Sequence, residues 1–413
     1  MRAIPEACRD RKWLSVSKQL SSSAAAVSSS LTVMNYNVLC QKLIQRKLFP
    51  YASKSSLKWK TRRPLLLSEL SHLKPDILCL QEVYTKNWDD TFNMWFNREG
   101  YKAETFQSVS KSHCLSISWK EDRFTAIDRA CVRMDRSADV FGETLQTNNV
   151  AQIIVLRFLK DSDLSSGVPG VIVSNTHLFW VPEACYERLQ QQLLLSRALN
   201  LMRQKYPKYP IISCGDYNTT PDDAGYALMT NPRPVKLSEQ QLDKLLPRTL
   251  DENSSDNEHE NGNSETPQAT AMSYSEMAAA GTVAETDNAL NKRRLLELEE
   301  RKIEKQLQCD IERVGRLVST IQRESEQLTS CYATYSDLDI SYRTDQWQGE
   351  PIYTNYTNWK GTLDYILYTP AAGLSLQSVL SLPSETQLKP GLPNDVFPSD
   401  HISLVAQFDI ARM

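Results

Sequence analysis

The chain has 413 residues, of which 41% are hydrophobic, 8% aromatic and 23% charged, and its formal charge is −3 at pH 7. This composition excludes collagen-like, disulfide-knotted and wholly disordered chains, because it supplies enough apolar residues for a large core. No run reaches the roughly 18 apolar residues that a membrane-spanning helix needs, and the slightly negative charge argues weakly against a nucleic-acid partner.

The nine cysteines are spread along the chain, and no two of them form a C-x-x-C pair. Several lie inside apolar runs, so we interpret them as reduced, buried thiols of an intracellular protein. Residues 1–30 carry basic residues followed by a Ser/Ala run, and we predict a disordered N-terminal tail. This basic, Ser-rich tail leaves a mitochondrial location open beside a cytoplasmic or nuclear one.

Strand-like and helix-like segments alternate from Leu31 onwards. Leu31 to Leu39 alternates apolar and polar residues, which predicts a strand, and helical spacing after Trp59 predicts a helix that ends before Pro75. Asp76 to Val83 is apolar enough for a strand that is buried on both faces. Further strands are predicted at 115–119, 150–158, 171–176, 211–215, 351–356, 361–368 and 402–410, with a helix at 184–206. This order predicts one large α/β domain over residues 31–408.

The composition changes at about residues 231–330, which we interpret as an insertion. Residues 251–265 hold six acidic and no basic residues, which predicts an acidic disordered loop over 251–283. Subtracting these six acids changes the formal charge from −3 to +3. Residues 285–328 repeat apolar residues near heptad spacing, which predicts a long amphipathic helix. Such a helix packs against its own domain or pairs with a protein partner.

Polar residues that can do chemistry collect at the ends of the predicted strands. They are Asn37, Glu82, Asn149, Asn175, His177, Asp216, Asn218, Asp364, Asp400 and His401. Taken singly, each is also typical of a solvated strand end, a turn or a helix cap. Together, oxygen ligands with few histidines and no clustered thiols favour Mg²⁺ over Zn²⁺. A histidine oriented by a carboxylate can manage a proton beside such a metal, so the set indicates metal-assisted hydrolysis of a phosphodiester or phosphomonoester.

Seven segments together resemble the endonuclease/exonuclease/phosphatase superfamily, in its deadenylase and nocturnin branch: MNYNVL, LCLQEVY, NNVAQ, SNTHLFW, SCGDYNTTP, GTLDYILY and FPSDHISLVAQF. Gln45 to Pro50, THLFW and the YERLQQ helix are similar to fungal RNA exonucleases that trim the 3′ ends of ribosomal RNA. The resemblance extends from about Leu31 to Phe408. It implies a DNase-I-like, four-layer α/β sandwich, in which two face-to-face mixed β-sheets are flanked by helices and the active site lies at one edge.

The resemblance also implies a metal site. Glu82 matches the family's principal Mg²⁺ ligand, Asn37 matches a residue that assists at that site, and Asp400 is assigned to the same site. Mn²⁺ is the expected substitute for Mg²⁺. Asp216 and Asn218 match the pair that positions the attacking water and the phosphate.

Further roles follow from the same resemblance. His177 matches a histidine that contacts the phosphate, and Asn149 matches an amide that faces the substrate. His401 matches the catalytic histidine, and Asp364 matches the carboxylate that orients it.

The implied activity is that of a Mg²⁺-dependent 3′-to-5′ exoribonuclease with a monomeric catalytic domain, which hydrolyses poly(A) or ribosomal RNA ends to nucleoside 5′-monophosphates. Tyr217 stands where the family commonly has Phe, and Ser112 to Ile117 replaces a DGCAIF block that borders the cleft, so base preference stays open. Two alternatives also stay open. One is a nocturnin-like phosphatase acting on a phosphorylated dinucleotide, and the other is an inactive RNA-binding scaffold.

Overall fold

The computed structural model describes residues 4–16, 29–135, 147–159, 168–247, 287–344, 347, 349–370 and 373–410. Their strands are β1 Trp13–Ser15, β2 Ser29–Asn37, β3 Ile77–Tyr84, β4 Tyr101–Gln107, β5 His113–Lys120, β6 Phe124–Arg133, β7 Val150–Phe158, β8 Gly170–His177, β9 Ile211–Asp216, β10 Thr329–Ser330, β11 Asn355–Tyr356, β12 Lys360–Gly361, β13 Asp364–Tyr368, β14 Leu374–Leu380 and β15 Leu404–Ile410. Their α-helices are α1 Glu6–Arg9, α2 Trp59–Leu73, α3 Met94–Arg98, α4 Cys185–Lys205, α5 Ala224–Thr230, α6 Glu239–Lys244, α7 Asp287–Glu324, α8 Tyr335–Leu338 and α9 Glu385–Leu388. None of the described helices is long and apolar enough to cross a bilayer.

Two mixed β-sheets pack face to face. The first has the strand order β1-β14-β15-β2-β3-β5-β4, and the second has the order β10-β13-β9-β8-β7-β6. Their facing sides share one apolar core, in which Cys79 and Ile117 of the first sheet meet Ile154 and Cys214 of the second. Helices α2 and α3 cover the outer face of the first sheet, and α4 covers the outer face of the second. The predicted four-layer α/β sandwich is therefore confirmed.

Local sequence explains why β3 and α2 form where they do. The apolar run after Asp76 forms β3, in which all residues but the last are buried, as expected of a strand that is covered on both faces. Helix α2 ends at Lys74, which adopts a left-handed conformation with φ 40°, and Pro75 follows because it cannot continue the helix. The described cysteines are all free thiols; Cys131 and Cys309 are exposed, unlike the buried majority.

The N-terminal prediction needs a correction. Residues 4–16 are not a disordered tail, because β1 pairs antiparallel with β14 at the edge of the first sheet and Cys8 is buried in the core. The Arg11 guanidinium fixes this segment by donating to the Ser381 and Ser403 carbonyls, each at 2.6 Å. These partners lie 370 and 392 residues away along the chain, so the local composition did not predict them. Residues 17–28 lie outside the described residues.

The insertion contains the predicted long helix as α7, whereas the acidic loop over 251–283 lies outside the described residues. The last turns of α7 bury Val314, Leu317 and Ile321 against α4 and α5. Further towards its N-terminus, Ile303 and Leu307 are exposed. Packing against the helix's own domain therefore accounts for only the C-terminal part of the apolar stripe.

Five strands were not predicted from the sequence: β1, β4, β6, β10 and β14. Of these, β4 and β6 are half-exposed edge strands that carry several charged residues, with no apolar run. Strand β4 pairs with β5, and β6 pairs with β7. These strands therefore depend on pairing with a neighbour, which no local apolar pattern predicts. The Pro351 to Tyr356 segment forms a strand only over its last two residues.

Candidate active site

The polar residues lie together at one edge of the sandwich because neighbouring parallel strands end at that edge. Strands β2 and β3 run parallel, as do β8 and β9, so Asn37 and His177 reach the same edge as their neighbours. Strand β13 runs antiparallel to β9, and its first residue, Asp364, lies opposite Asp216. The sequence pattern placed Asp364 and His401 at strand ends. They instead begin or precede strands that run in the opposite direction.

Glu82 lies within a bulge of β3 rather than at the end of the strand. The β3–β5 register shifts between Leu80 and Val83, and Glu82 has φ 57°, a conformation that is costly for a residue other than glycine. Its Oε1 accepts from Asn37 Nδ2 at 2.8 Å, and its Oε2 accepts from the Cys40 backbone N–H at 2.8 Å. The bulge therefore turns this carboxylate inward, and two donors fix its orientation.

Asp216 lies at the centre of the group. Its Oδ2 accepts from Asn37 Nδ2 at 3.0 Å and lies 3.6 Å from His177 Nε2 and 3.5 Å from His401 Nε2. Its Oδ1 accepts from the Asn218 backbone N–H at 3.1 Å. Asn37 thus joins Asp216 to Glu82 through a single amide nitrogen, and two imidazoles flank Asp216 on its other side.

Asp364 holds His401 in place. Its Oδ2 lies 2.7 Å from His401 Nδ1 and also accepts from the Thr354 hydroxyl at 2.6 Å. The Thr354 Oγ1 accepts in turn from the backbone N–H groups of Leu363 and Asp364. Sequence reasoning missed Thr354, since a threonine in the TNYT stretch has no local feature that marks such a role.

The electrostatics of this pair favour a charged imidazole. Burial by itself lowers the pKa of His401, but the carboxylates of Asp364 and Asp216 outweigh it, so the pKa lies well above its ordinary value. Burial raises the pKa of Asp216, and His401 partly offsets that effect. The geometry therefore places an imidazolium beside a carboxylate that is a stronger base than usual.

These residues surround a cavity of about 190 Å³. Its walls include Leu48, Phe49, Glu82, His177, Trp180, Asp216, Asn218, Asn355, Thr357, Leu363, Asp400 and His401. Asn37 and Asp364 lie behind this wall, where each contacts a residue that lines it. Asn218 lines the cavity, and its Nδ2 donates to the Leu178 carbonyl at 2.9 Å.

Asn149 lies on the far side of His177. Its Nδ2 donates to the His177 carbonyl at 2.8 Å, and it lines a smaller cavity of about 20 Å³ that adjoins His113 and His177. The ring centroids of these two histidines are 6.3 Å apart. The SHCLSI block that departs from the family pattern therefore borders the site, and Asn149 contacts a site residue rather than the main cavity.

A buried amide network supports the site between the two sheets. Gln81 Nε2 donates to Asn35 Oδ1 and Asn175 Oδ1, each at 2.7 Å, and Asn35 Nδ2 donates to the Gly215 carbonyl at 3.1 Å. All of these side chains are fully buried. The polar residues at adjoining strand positions are the sequence signal for this network, which fixes β3 relative to β8 and β9.

The cavity suits a divalent cation. It collects three buried carboxylates, those of Glu82, Asp216 and Asp400, and such groups repel one another unless a cation offsets their charge. Carboxylate oxygens are the ligands that Mg²⁺ prefers. A second grouping of Asp216, Asp364 and His401 has potential ligand atoms within 4.8 Å of one another. Because Glu82 and Asp400 line the cavity and Asp364 lies behind its wall, the side of the cavity with Glu82 fits a cation better.

Comparison with known proteins gives a family match. The Endonuclease/Exonuclease/phosphatase family matches residues 34–401. The probable RNA exonuclease C9B6.11c of Schizosaccharomyces pombe is 27% identical over 97% of this chain and 80% of its own length. RNA exonuclease NGL2 of Saccharomyces cerevisiae is 27% identical over 81% of this chain, and the match spans only 65% of that protein.

Solved structures show the same fold. The crystal structure of ANGEL2, a 2′,3′-cyclic phosphatase, in complex with adenosine-2′,3′-vanadate has a TM-score of 0.63 at 23% identity, covering 97% of this chain and 98% of that one. The human nocturnin catalytic domain with bound sulfate has a TM-score of 0.55 at 22% identity, covering 98% and 99% of the two chains. At these identities the likeness concerns the architecture alone.

Proposed function

The chain belongs to the endonuclease/exonuclease/phosphatase family, whose enzymes are generally divalent-metal dependent, and on that premise we propose that it is a Mg²⁺-dependent 3′-to-5′ exoribonuclease. The observation that carries the proposal is the convergence on Asp216 of Glu82, through Asn37, and of His401, through its Nε2. The RNA exonuclease names of the two fungal relatives support RNA as the substrate.

Glu82 and Asp400 would hold the cation, with Asn37 orienting Glu82. When bound, the cation supplies Lewis-acid stabilisation of charge that develops on the phosphate oxygens. Mn²⁺ is the expected substitute. The bulge at Glu82 supports this assignment, because backbone strain of this kind persists where the surrounding structure enforces it and is concentrated at functional sites.

Asp216 and the residues around it activate the water, stabilise the developing charge and position the phosphate. Asp216 orients the water that attacks phosphorus and accepts its proton, and the bond from phosphorus to the 3′-oxygen of the preceding nucleotide breaks. That oxygen takes up a proton from solvent water and becomes the 3′-hydroxyl of the shortened strand, and Asp216 returns its proton to solvent. The released product is a nucleoside 5′-monophosphate. The His401 imidazolium, held by Asp364, faces the developing negative charge. His177 and Asn218 position the phosphate from the cavity wall, and Asn149 supports His177 from behind.

The test uses purified full-length chain with Mg²⁺ and four substrates: 5′-labelled poly(A), 5′-labelled mixed-sequence RNA, a circular RNA and a phosphorylated dinucleotide. We expect ladders that shorten from the 3′ end, nucleoside 5′-monophosphate as the product, an intact circle, and no reaction with excess chelator. Cutting of the circle would identify an endonuclease. Phosphate release from the dinucleotide without RNA shortening would identify a phosphatase, and either result would contradict the proposal.

A further inference from the structure

The segment that joins β2 to α2 and forms the first turns of α2 is strongly basic and borders the cavity. Residues 42–63, the basic segment, contain eight Lys and Arg residues and no Asp or Glu. The segment begins two residues after Cys40, whose backbone N–H donates to Glu82. Leu48 and Phe49, within the segment, line the cavity itself. Part of this basic segment therefore borders the proposed active site.

Two of the eight cations hold the segment in shape. The fully buried Arg62 donates to the carbonyls of Val38 and Leu39, and Arg46 donates to three carbonyls within residues 49–52. A small apolar cluster around Phe49 packs beneath them. The surface that the segment presents is thus preorganised, which lowers the entropic cost of binding a partner.

Most of the other cations have no acidic partner. Five of them are exposed and have no carboxylate oxygen of any described residue within 4.0 Å. They are Lys42, Lys54, Lys58, Lys60 and Arg63. Some exposed lysines elsewhere on the surface do pair with acids, as Lys74 does with Glu99 at 3.0 Å and Lys205 with Asp128 at 2.6 Å. Lys60 and Arg63 lie one turn apart on α2, where neighbouring like charges repel. A polyanion is the partner that relieves this repulsion.

We propose that the basic segment binds the sugar-phosphate backbone of the RNA strand whose 3′ end occupies the cavity; the inference rests on the proposed exoribonuclease function. The cavity of about 190 Å³ is smaller than the roughly 300–1,000 Å³ of sites for drug-sized ligands, so most of a polymer lies outside it. Lysine side chains that contact phosphates bind RNA irrespective of its nucleotide sequence. A dinucleotide held in the cavity has few phosphates left for these contacts.

The test compares two triple variants that remove the same charge. Lys42→Gln/Lys54→Gln/Lys58→Gln alters the basic segment, and Lys120→Gln/Arg157→Gln/Lys208→Gln alters cations at the opposite ends of the strands. Binding of a fluorescent 20-nucleotide RNA is measured by anisotropy in chelator at several KCl concentrations. kcat and KM are measured with Mg²⁺ for the same RNA and for a dinucleotide.

The basic-segment variant should bind the 20-nucleotide RNA about 10-fold more weakly, with a slope of log Kd against log[KCl] that is shallower by about 2, since each phosphate contact to a single strand contributes about 0.7. Its KM should rise more for the 20-nucleotide RNA than for the dinucleotide, and the control variant should match wild type. Equal behaviour of the two variants, with RNA still shortened by wild type, would overturn the basic-segment proposal alone. Weaker RNA binding by the basic-segment variant, with no RNA shortening by wild type, would support the surface and contradict the exoribonuclease function.

Discussion

His401 Nδ1 lies 2.7 Å from Asp364 Oδ2, although 37 residues separate the two along the chain. The hydrogen bond fixes the ring so that Nε2 faces Asp216 at 3.5 Å. Because both partners are buried, water weakens the interaction little. This pair gives the site a histidine of fixed orientation and raised pKa.

Replacing His401 tests its role in turnover. His401→Ala should lower kcat for RNA by about 10²- to 10⁴-fold, the usual contribution of a positioned acid or base, and should leave RNA and metal binding within a few-fold of wild type. Single-turnover kinetics measures the change in turnover. Anisotropy measures RNA binding, and calorimetry measures metal binding. The control is His72→Ala, at an exposed position on α2. Loss of RNA affinity with unchanged kcat would show that His401 binds the substrate instead.

Replacing Glu82 tests the metal assignment. Glu82→Ala should abolish detectable Mn²⁺ binding in calorimetry and lower RNA turnover by at least about 100-fold, because the stabilisation that a bound cation supplies amounts to several kcal/mol. Circular dichroism should show a folded chain. Glu304→Ala removes an exposed carboxylate on α7 and should behave as wild type. Undiminished Mn²⁺ affinity in Glu82→Ala would place the cation elsewhere.

Thr354 is expected to be a positioning residue, since it donates to Asp364 and accepts from two backbone N–H groups. Thr354→Val keeps the shape and removes the hydroxyl, which should reduce the free energy of unfolding by about 1–3 kcal/mol. It should also lower kcat about 10-fold with little change in KM, as a loss of about 1.4 kcal/mol of transition-state stabilisation would. Thr354→Ser should restore both. A stability loss without a change in kcat would show that the role is structural only.

Glu350 should make stability depend on pH. Burial raises its pKa from 4.5 to about 7, against hydrogen bonds from Ser330 and Tyr226 that lower it. The unfolded chain therefore binds fewer protons between about pH 4.5 and 7, so the free energy of unfolding falls as pH rises through that window, by about 3 kcal/mol.

Glu350→Gln removes this dependence while keeping an acceptor for Tyr226, whose hydroxyl donates to Glu350 Oε1 at 2.8 Å. In urea unfolding, the variant should exceed wild type in stability at pH 8 and differ little from it at pH 4. Glu304→Gln is the matched control at an exposed position. Lower stability of Glu350→Gln than of wild type at pH 8 would refute the assignment.

The sequence by itself determined the two-sided burial of β3, the extent of α2 and α4, and the identity of the polar residues that meet at one edge. These follow from hydrophobic periodicity and from residue chemistry, which are local properties. The seven segments that resemble the family added the four-layer fold, which the structure confirms.

Tertiary structure alone decided how those residues are arranged. Asp364 and His401 reach Asp216 because β13 and β15 run antiparallel to their neighbours, and strand direction depends on distant pairing that no local pattern contains. The inward turn of Glu82 depends on its bulge opposite β5. The burial of Arg62, next to the exposed Arg63, depends on carbonyls of the β2–α2 connection and of Pro398. A sequence shows which side chains carry charge, but only packing decides which of them remain available to a substrate.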